Sequence, residues 1–193
     1  MKSFASLVLL MVLAVSVVGQ QAKSGKHSKA YNSAEQKFAQ VESGANGGKA
    51  QTTTFTAEEL SAYVNEGGVT LPTGVENVKF TGRSGTITAV TNVDFDKITA
   101  GKSSMNPLML LFTGVHDVTV TADAKGSGGR ATVNVQTVEI DGVTVPRGAL
   151  EFFISRYLQP KYGNNIGLNN NFAMPSHVDS AVVGNNTLTI TQK

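Results

Sequence analysis

Hydrophobic positions fall into three regimes along the chain. Met1-Lys2-Ser3 leads into an apolar run from Phe4 to Val18 broken only by Ser6 and Ser16, and Gly19-Gln20-Gln21 follows. A basic start, a short apolar segment and small residues beyond it are the layout of a cleaved secretory leader. Val17 and Gly19 suit the positions three and one before a cut after Gly19. The run is shorter than the roughly 20 residues that cross a hydrocarbon core, which argues against a retained anchor. Residues 1–19 are therefore expected to be a signal peptide, and the protein to be exported to a periplasm or the extracellular space.

Residues 20–51 carry Lys23, Lys26, Lys29, Lys37 and Lys49 against Glu35 and Glu42, in a background of Ser, Gly, Gln, Asn and Ala. So few apolar side chains do not offset the entropy of ordering a segment. This stretch is expected to be a flexible, weakly basic linker, with room for a short helix over 34–42. Spaced lysines leave open a peripheral contact with an anionic membrane or wall polymer.

From residue 52 onward the pattern is that of one folded domain reaching residue 193. Thr56 and Glu59 form a capping box, and Phe55 with Leu60 stand at hydrophobic-staple positions. Leu60, Tyr63 and Val64 make one apolar stripe, which Gly67-Gly68 ends. Strand patterns follow over 75–81 and 86–95 around the turn Gly82-Arg83-Ser84-Gly85. Ile87, Ala89, Val93 and Phe95 share one parity, interrupted by Thr91.

The run Leu108-Met109-Leu110-Leu111-Phe112 is too short to classify by period, and a helical turn, a buried strand and a groove lip all fit it. Val118, Val120, Ala122 and Ala124 then alternate with polar residues, as do Ala131, Val133 and Val135 after Gly126-Ser127-Gly128-Gly129. The apolar parity moves to Val138 and Ile140, which predicts a β-bulge near Thr137. Asp141-Gly142 turns the chain into Val143–Val145.

Pro146 opens a second helix, expected to end near Gln159 because Pro160 follows. Leu150, Phe153, Ile154, Tyr157 and Leu158 form its stripe, with Phe152 beside it. A loop over 163–171 leads to closing strands over 178–183 and 187–191. The expected fold class is α+β: a long, twisted antiparallel β-meander packed against two amphipathic helices.

Composition narrows the functions. The chain has no cysteine, which excludes disulfides, thiolate metal sites and cysteine nucleophiles. Its net charge is +2, and losing Lys2 with the leader makes it +1, too little for nucleic acid as the main partner. Of three histidines, His27 lies in the expected linker, leaving His116 and His177 in the domain. No metal site, cofactor motif or catalytic constellation is expected. The carboxylate pairs Asp94/Asp96 and Glu139/Asp141 share strand faces, but at strand ends where solvated charges are ordinary. Gly126–Gly129 precedes a strand rather than a helix, so it reads as a hairpin turn and not a phosphate cradle.

The remaining informative set is apolar. Leu60, Tyr63, Val64, Leu108, Met109, Leu111, Phe112, Phe152, Phe153 and Tyr157 either form the core or in part line a groove between helix and sheet. The first case makes the chain a structural or interaction module, the second a binder of a lipid or other apolar small molecule.

The order of the helix opened by Phe55-Thr56-Ala57-Glu58-Glu59-Leu60, the meander, Ile140-Asp141-Gly142-Val143-Thr144-Val145-Pro146 entering a helix, and a last strand Asn186-Thr187-Leu188-Thr189-Ile190 resembles small bacterial proteins of the LmeA and YpmS type, related to the tubular lipid-binding (TULIP) superfamily. The resemblance covers about residues 52–193 and rests on short motifs. It implies a long curved sheet wrapped against a helix, with a non-catalytic apolar cleft for lipid in the cell envelope. It carries over no individual ligand residue, and the polar tail in place of a clear anchor departs from it.

Overall fold

The computed structural model describes residues 27–44, 50–99, 107–164 and 166–193; the expected leader and residues 20–26 of the expected linker lie outside them. These residues form an α+β fold around a nine-stranded antiparallel sheet. Its spine is the hairpin of β4 (Val115–Ser127) and β5 (Arg130–Ile140). Gly128 and Gly129 turn it, both with positive φ (59° and 78°), a conformation that side chains disfavour.

Each outer edge of this hairpin carries two strands placed end to end. Along β4, β3 (Thr86–Asp94) pairs from Asp123 to Val115, and β8 (Val178–Val183) takes over at Lys125 to Ser127. Gly85 joins them: its N–H donates to the Val183 carbonyl at 2.8 Å, and its carbonyl accepts from the Ala124 N–H at 2.8 Å. Along β5 lie β6 (Val143–Thr144) and β7 (Asn169–Ala173). The sheet continues outward through β2 (Val75–Arg83) beyond β3, and through β9 (Thr187–Gln192) and β1 (Gln51–Thr56) beyond β8. At Gly126 a Cβ would sit 2.9 Å from Ala181 Cβ and from Met174 Sδ, so only glycine lets β8 and the chain after β7 approach this closely.

The β2–β6 meander and the bulge are as expected. Thr121 faces Thr137 but Ala122 faces Val135, which leaves Gln136 as the additional residue. The slip turns Val133, Val135, Val138 and Ile140 onto the same inner face. Two strands lie where none was expected: β1, written almost entirely in threonine, and β7, in the segment read as an Asn/Gly loop.

Helices cover the inner face in two groups. One pairs α1 (Lys29–Glu42) with α2 (Ala57–Asn65). The expected flexible linker over 20–51, with room for a short helix over 34–42, is thus corrected at 29–42: Ser28 caps a packed fourteen-residue helix that ends at Glu42 and buries Tyr31, Ala34, Phe38 and Val41. Four apolar side chains at i, i+3, i+7 and i+10 suffice because they fall on one line, with every lysine off it. Gln192, fully buried in β9, donates from Nε2 to the Val41 carbonyl at 2.8 Å and ties the helix end down. The Thr56–Glu59 capping box forms as expected: Thr56 Oγ1 accepts from the Glu59 N–H at 3.1 Å, and Glu59 Oε2 from the Thr56 N–H at 2.7 Å.

The second group begins after α3 (Phe95–Thr99), and its first member is a 3₁₀ turn over Pro107–Phe112, which settles the short apolar run as helical. It continues with α4 (Arg147–Phe153), a π-helical turn over Ile154–Leu158 and α5 (Gln159–Tyr162). The expected end at Gln159 is corrected: helical backbone runs through Pro160 to Tyr162. Proline lacks the N–H an α-helix needs and crowds the carbonyl four residues back. The wide π turn immediately before it shifts the hydrogen-bond ladder out of that conflict.

Candidate functional site: an apolar cavity beneath the second helix

A cavity of about 140 Å³ lies between the sheet and the α4–π segment. Its floor is valine-rich: Val93 from β3, Val118 and Val120 from β4, and Val133, Val135, Val138 and Ile140 from β5. Leu150, Phe153, Ile154 and Leu158 form the roof. Phe95, Ile98 and Phe112 line one end, Ile166 and Leu168 the other.

Short β-branched side chains and a π turn together leave this space. Val120 and Val138 are cross-strand partners on the inner face, beneath a helix, yet both are only half-buried, whereas Val118 and Ala122 on either side of Val120 are buried. Valine is too short to reach the roof, and the π turn displaces Ile154 and Leu158 from the positions a regular helix would give them. Such π turns occur frequently at functional sites.

The walls are almost without polar character. Thr91 Oγ1 donates to the Glu76 carbonyl at 2.7 Å, and Asn170 Nδ2 donates to the Gly167 carbonyl at 2.7 Å, so the Thr91 hydroxyl and one of the two Asn170 amide hydrogens are already engaged. A stable buried water needs about two to four polar partners, and an apolar cavity of about 150 Å³ stays dry and takes up benzene-sized molecules. The site is suited to hydrocarbon rather than water or ions.

Aromatic rings close one end. Phe112 stacks on Phe153 with ring centroids 4.4 Å apart, and Phe95 meets both edge-on at 5.4 and 5.6 Å. Tyr157 lies against Phe153 at 5.3 Å, outside the lining.

Of the residues singled out from sequence, Phe112 and Phe153 line the cavity. Leu60, Tyr63 and Val64 sit elsewhere, under α1. There the Tyr63 ring lies 5.5 Å from that of Tyr31 and 4.6 Å from that of Phe38, and burial pushes its hydroxyl up to about 12. Leu111 and Phe152 point outward, each 39% exposed. The side chains of Leu108 and Met109 lie outside the described residues. The β5 valines and the Leu150–Ile154–Leu158 stripe were legible as inward-facing, but nothing in their pattern separates a cavity wall from a packed core.

Of the histidine and carboxylate candidates, His116, Asp94, Asp96 and Asp141 are held in structural contacts. His116 Nδ1 is 2.6 Å from Asp141 Oδ2, and its Nε2 is 2.7 Å from the Thr113 carbonyl. With an acceptor at each nitrogen, the doubly protonated ring satisfies both, and the Asp141 carboxylate raises its pKa above the usual 6.5. Asp94 accepts from the Lys97 N–H and pairs with its ammonium, while Asp96 accepts from the Gly114 N–H. Among the described residues no group of three His, Asp or Glu is placed to hold a metal ion, and no helix is long and apolar enough to cross a membrane.

No protein-family model, no curated protein and no solved structure matches the chain.

Proposed function

We propose that this is an exported envelope protein that binds the hydrocarbon part of a lipid or similar apolar molecule, without catalysis, in the cavity between the β3–β5 face and the α4–π segment. The observation that carries the reading is the half-buried state of Val120 and Val138 on the floor and of Ile154 in the roof: apolar side chains of sheet and helix that do not close on one another. Burying a methylene contributes about 0.8 kcal/mol, so a chain segment filling this space gains several kcal/mol with no polar anchor. A long sheet holding a chain against a helix also matches what the resemblance to tubular lipid-binding proteins implies. The cavity is small, so it accommodates the end of a chain or one compact group, with the rest of the molecule outside.

Native mass spectrometry and solvent extraction of protein purified without detergent test this. An apolar molecule bound one to one, or restored by adding a fatty-acid probe, supports the reading. A bare mass together with failed uptake rejects it, and leaves a structural or interaction module whose apolar residues are all core.

A further inference from the structure

Five of the exposed large apolar side chains among the described residues stand at one end of the molecule: Leu110, Leu111, Val115, Val143 and Phe152. The connections that bring them together are short. Leu110 and Leu111 precede Phe112, whose ring stacks on Phe153, the neighbour of Phe152. Val115 opens β4, where Asp94 ends β3. Val143 pairs with Ile140, which faces Val118 three residues into β4. His116, hydrogen-bonded to both Asp141 and the Thr113 carbonyl, joins these loops. Leu110 is 74% exposed, Val115 66% and Val143 65%, more than scattered surface residues require.

This end is also the aromatic end of the cavity. Phe112 and Phe153 face inward, and the residues beside them, Leu111 and Phe152, face outward. Apolar surface therefore runs from the exterior to the cavity wall.

Each of the basic groups Lys97, Arg147 and His116 is matched by an acid, and a residual negative charge is left on Asp96 and Asp117, whose hydrogen-bond donors are neutral. Asp94 pairs with Lys97, Glu151 with Arg147 and Asp141 with His116, while Asp96 accepts from the Gly114 N–H and Asp117 from the Asn92 amide. No unpaired basic cluster is available among these groups to draw the end to an anionic surface. The residual negative charge of Asp96 and Asp117 opposes an anionic surface, so association would be hydrophobic, at a surface of no net charge.

We propose that this end docks into the surface of a neutral, zwitterionic lipid bilayer, with Leu110, Leu111, Val143 and Phe152 entering the headgroup boundary and the aromatic end of the cavity facing the acyl chains. The inference rests on the reading of the cavity as a site for apolar ligand.

The sequence contains no tryptophan, so a single one reports its own surroundings. L110W and V90W, both at exposed positions, are purified as the cell processes the chain and mixed with phosphatidylcholine vesicles. L110W emission is expected to shift to the blue and V90W emission to stay fixed. In flotation, L110D/V143D is expected to lose at least tenfold in vesicle partition and V90D/V182D to match the wild type. About 0.5 M salt, which confines charge effects to a few ångström, should change neither result. No shift in L110W, equal shifts in both reporters, or partition abolished by salt overturns the docking surface. Uptake of a soluble fluorescent fatty acid separates the two readings: uptake without vesicle partition removes the docking alone, and docking through Leu110 without uptake removes the ligand reading alone.

Discussion

Lys37 Nζ donates to both oxygens of the Glu59 carboxylate, at 2.6 and 2.7 Å, and joins the helix grown from a polar segment to the first turn of the domain's capped helix. Ser33 Oγ adds a third hydrogen bond at 2.5 Å and the Thr56 N–H a fourth. Burial by itself raises the pKa of Glu59, but these hydrogen bonds outweigh it and hold the carboxyl below its usual 4.5. Glu59→Gln is expected to cost about 1.5–3 kcal/mol near neutral pH, the usual range for hydrogen bonds to a charged group. Because the folded pKa is lowered, this stability is present above about pH 4.5 and is lost as pH falls through the folded value. Denaturant melts of wild type and variant should therefore draw together as pH is lowered from 7 through the folded value. A difference that does not shrink at all as the protein is acidified would remove the ionised carboxylate from the account.

Phe38 tests whether α1 belongs to the domain. Its ring lies 4.4 Å from that of Phe55, which is fully buried, and 4.6 Å from that of Tyr63. Phe38→Ala should destabilise the whole fold by about 3–5 kcal/mol, as large-to-small core changes do. The measurement is a single cooperative denaturant transition shifted to lower midpoint. A flexible linker would instead leave the midpoint where it was.

What could be read beforehand follows from how local each signal is. The capping box, the turns at Ser84-Gly85 and Asp141-Gly142, and the bulge at Gln136–Thr137 are each specified within a few neighbouring residues, and all of them form. Strand β1 could not be read that way: Gln51–Thr56 becomes a strand only because β9 lies beside it, with Thr52, Thr54 and Thr56 opposite Thr191, Thr189 and Thr187. Average polarity allows only a short helix over 34–42 in a flexible segment, whereas the spacing of four buried side chains carries α1 back to Lys29 and onto the domain. The cavity was half legible. Its aromatic end, Phe112 and Phe153, stood out by residue type, while its valine floor reads the same whether a roof touches it or not.

His116 carries a pH signature. Its hydrogen bond to Asp141 leads the causes that raise its pKa, burial opposes, and the Thr113 carbonyl and the charge of nearby Asp96 add to the rise. With the folded pKa above 6.5, the ring's contribution to stability is complete below that pH and is lost as pH rises through the raised value. The imidazole resonances of His116 should titrate with a midpoint above 6.5, and Asp141→Asn should bring that midpoint down. A wild-type midpoint at or below 6.5 would show that the Asp141 contact does not hold in solution.

Phe152 and Phe153 are adjacent in sequence and opposite in consequence. Phe153 is 5% exposed and touches the rings of Phe95, Phe112 and Tyr157; Phe152 is 39% exposed. Phe153→Ala should cost about 3–5 kcal/mol, and Phe152→Ala less, since a large part of its ring stays in water on folding. Equal losses in urea titrations would place Phe152 in the core and take it out of the exposed end.

Filling the cavity separates a ligand site from imperfect packing. Val138 lies on its floor, half-buried, opposite Val120 and beneath Ile154 and Leu158 of the roof. In a fully packed core Val138→Phe would force strained rotamers and cost about 1–3 kcal/mol. Over a real void the ring has somewhere to go, and cavity-filling changes commonly raise stability by about 0.5–2 kcal/mol. The expected result is a melting temperature equal to or above that of the wild type, together with loss of fatty-acid probe uptake. Ligand-bound wild type complicates the comparison, because anything bound only to the folded state raises its apparent stability. Both proteins must therefore be stripped of lipid first. A destabilised variant that still takes up probe would mean that the space is packed in solution and that the probe binds elsewhere; a stable variant without uptake ties the two properties to the same volume.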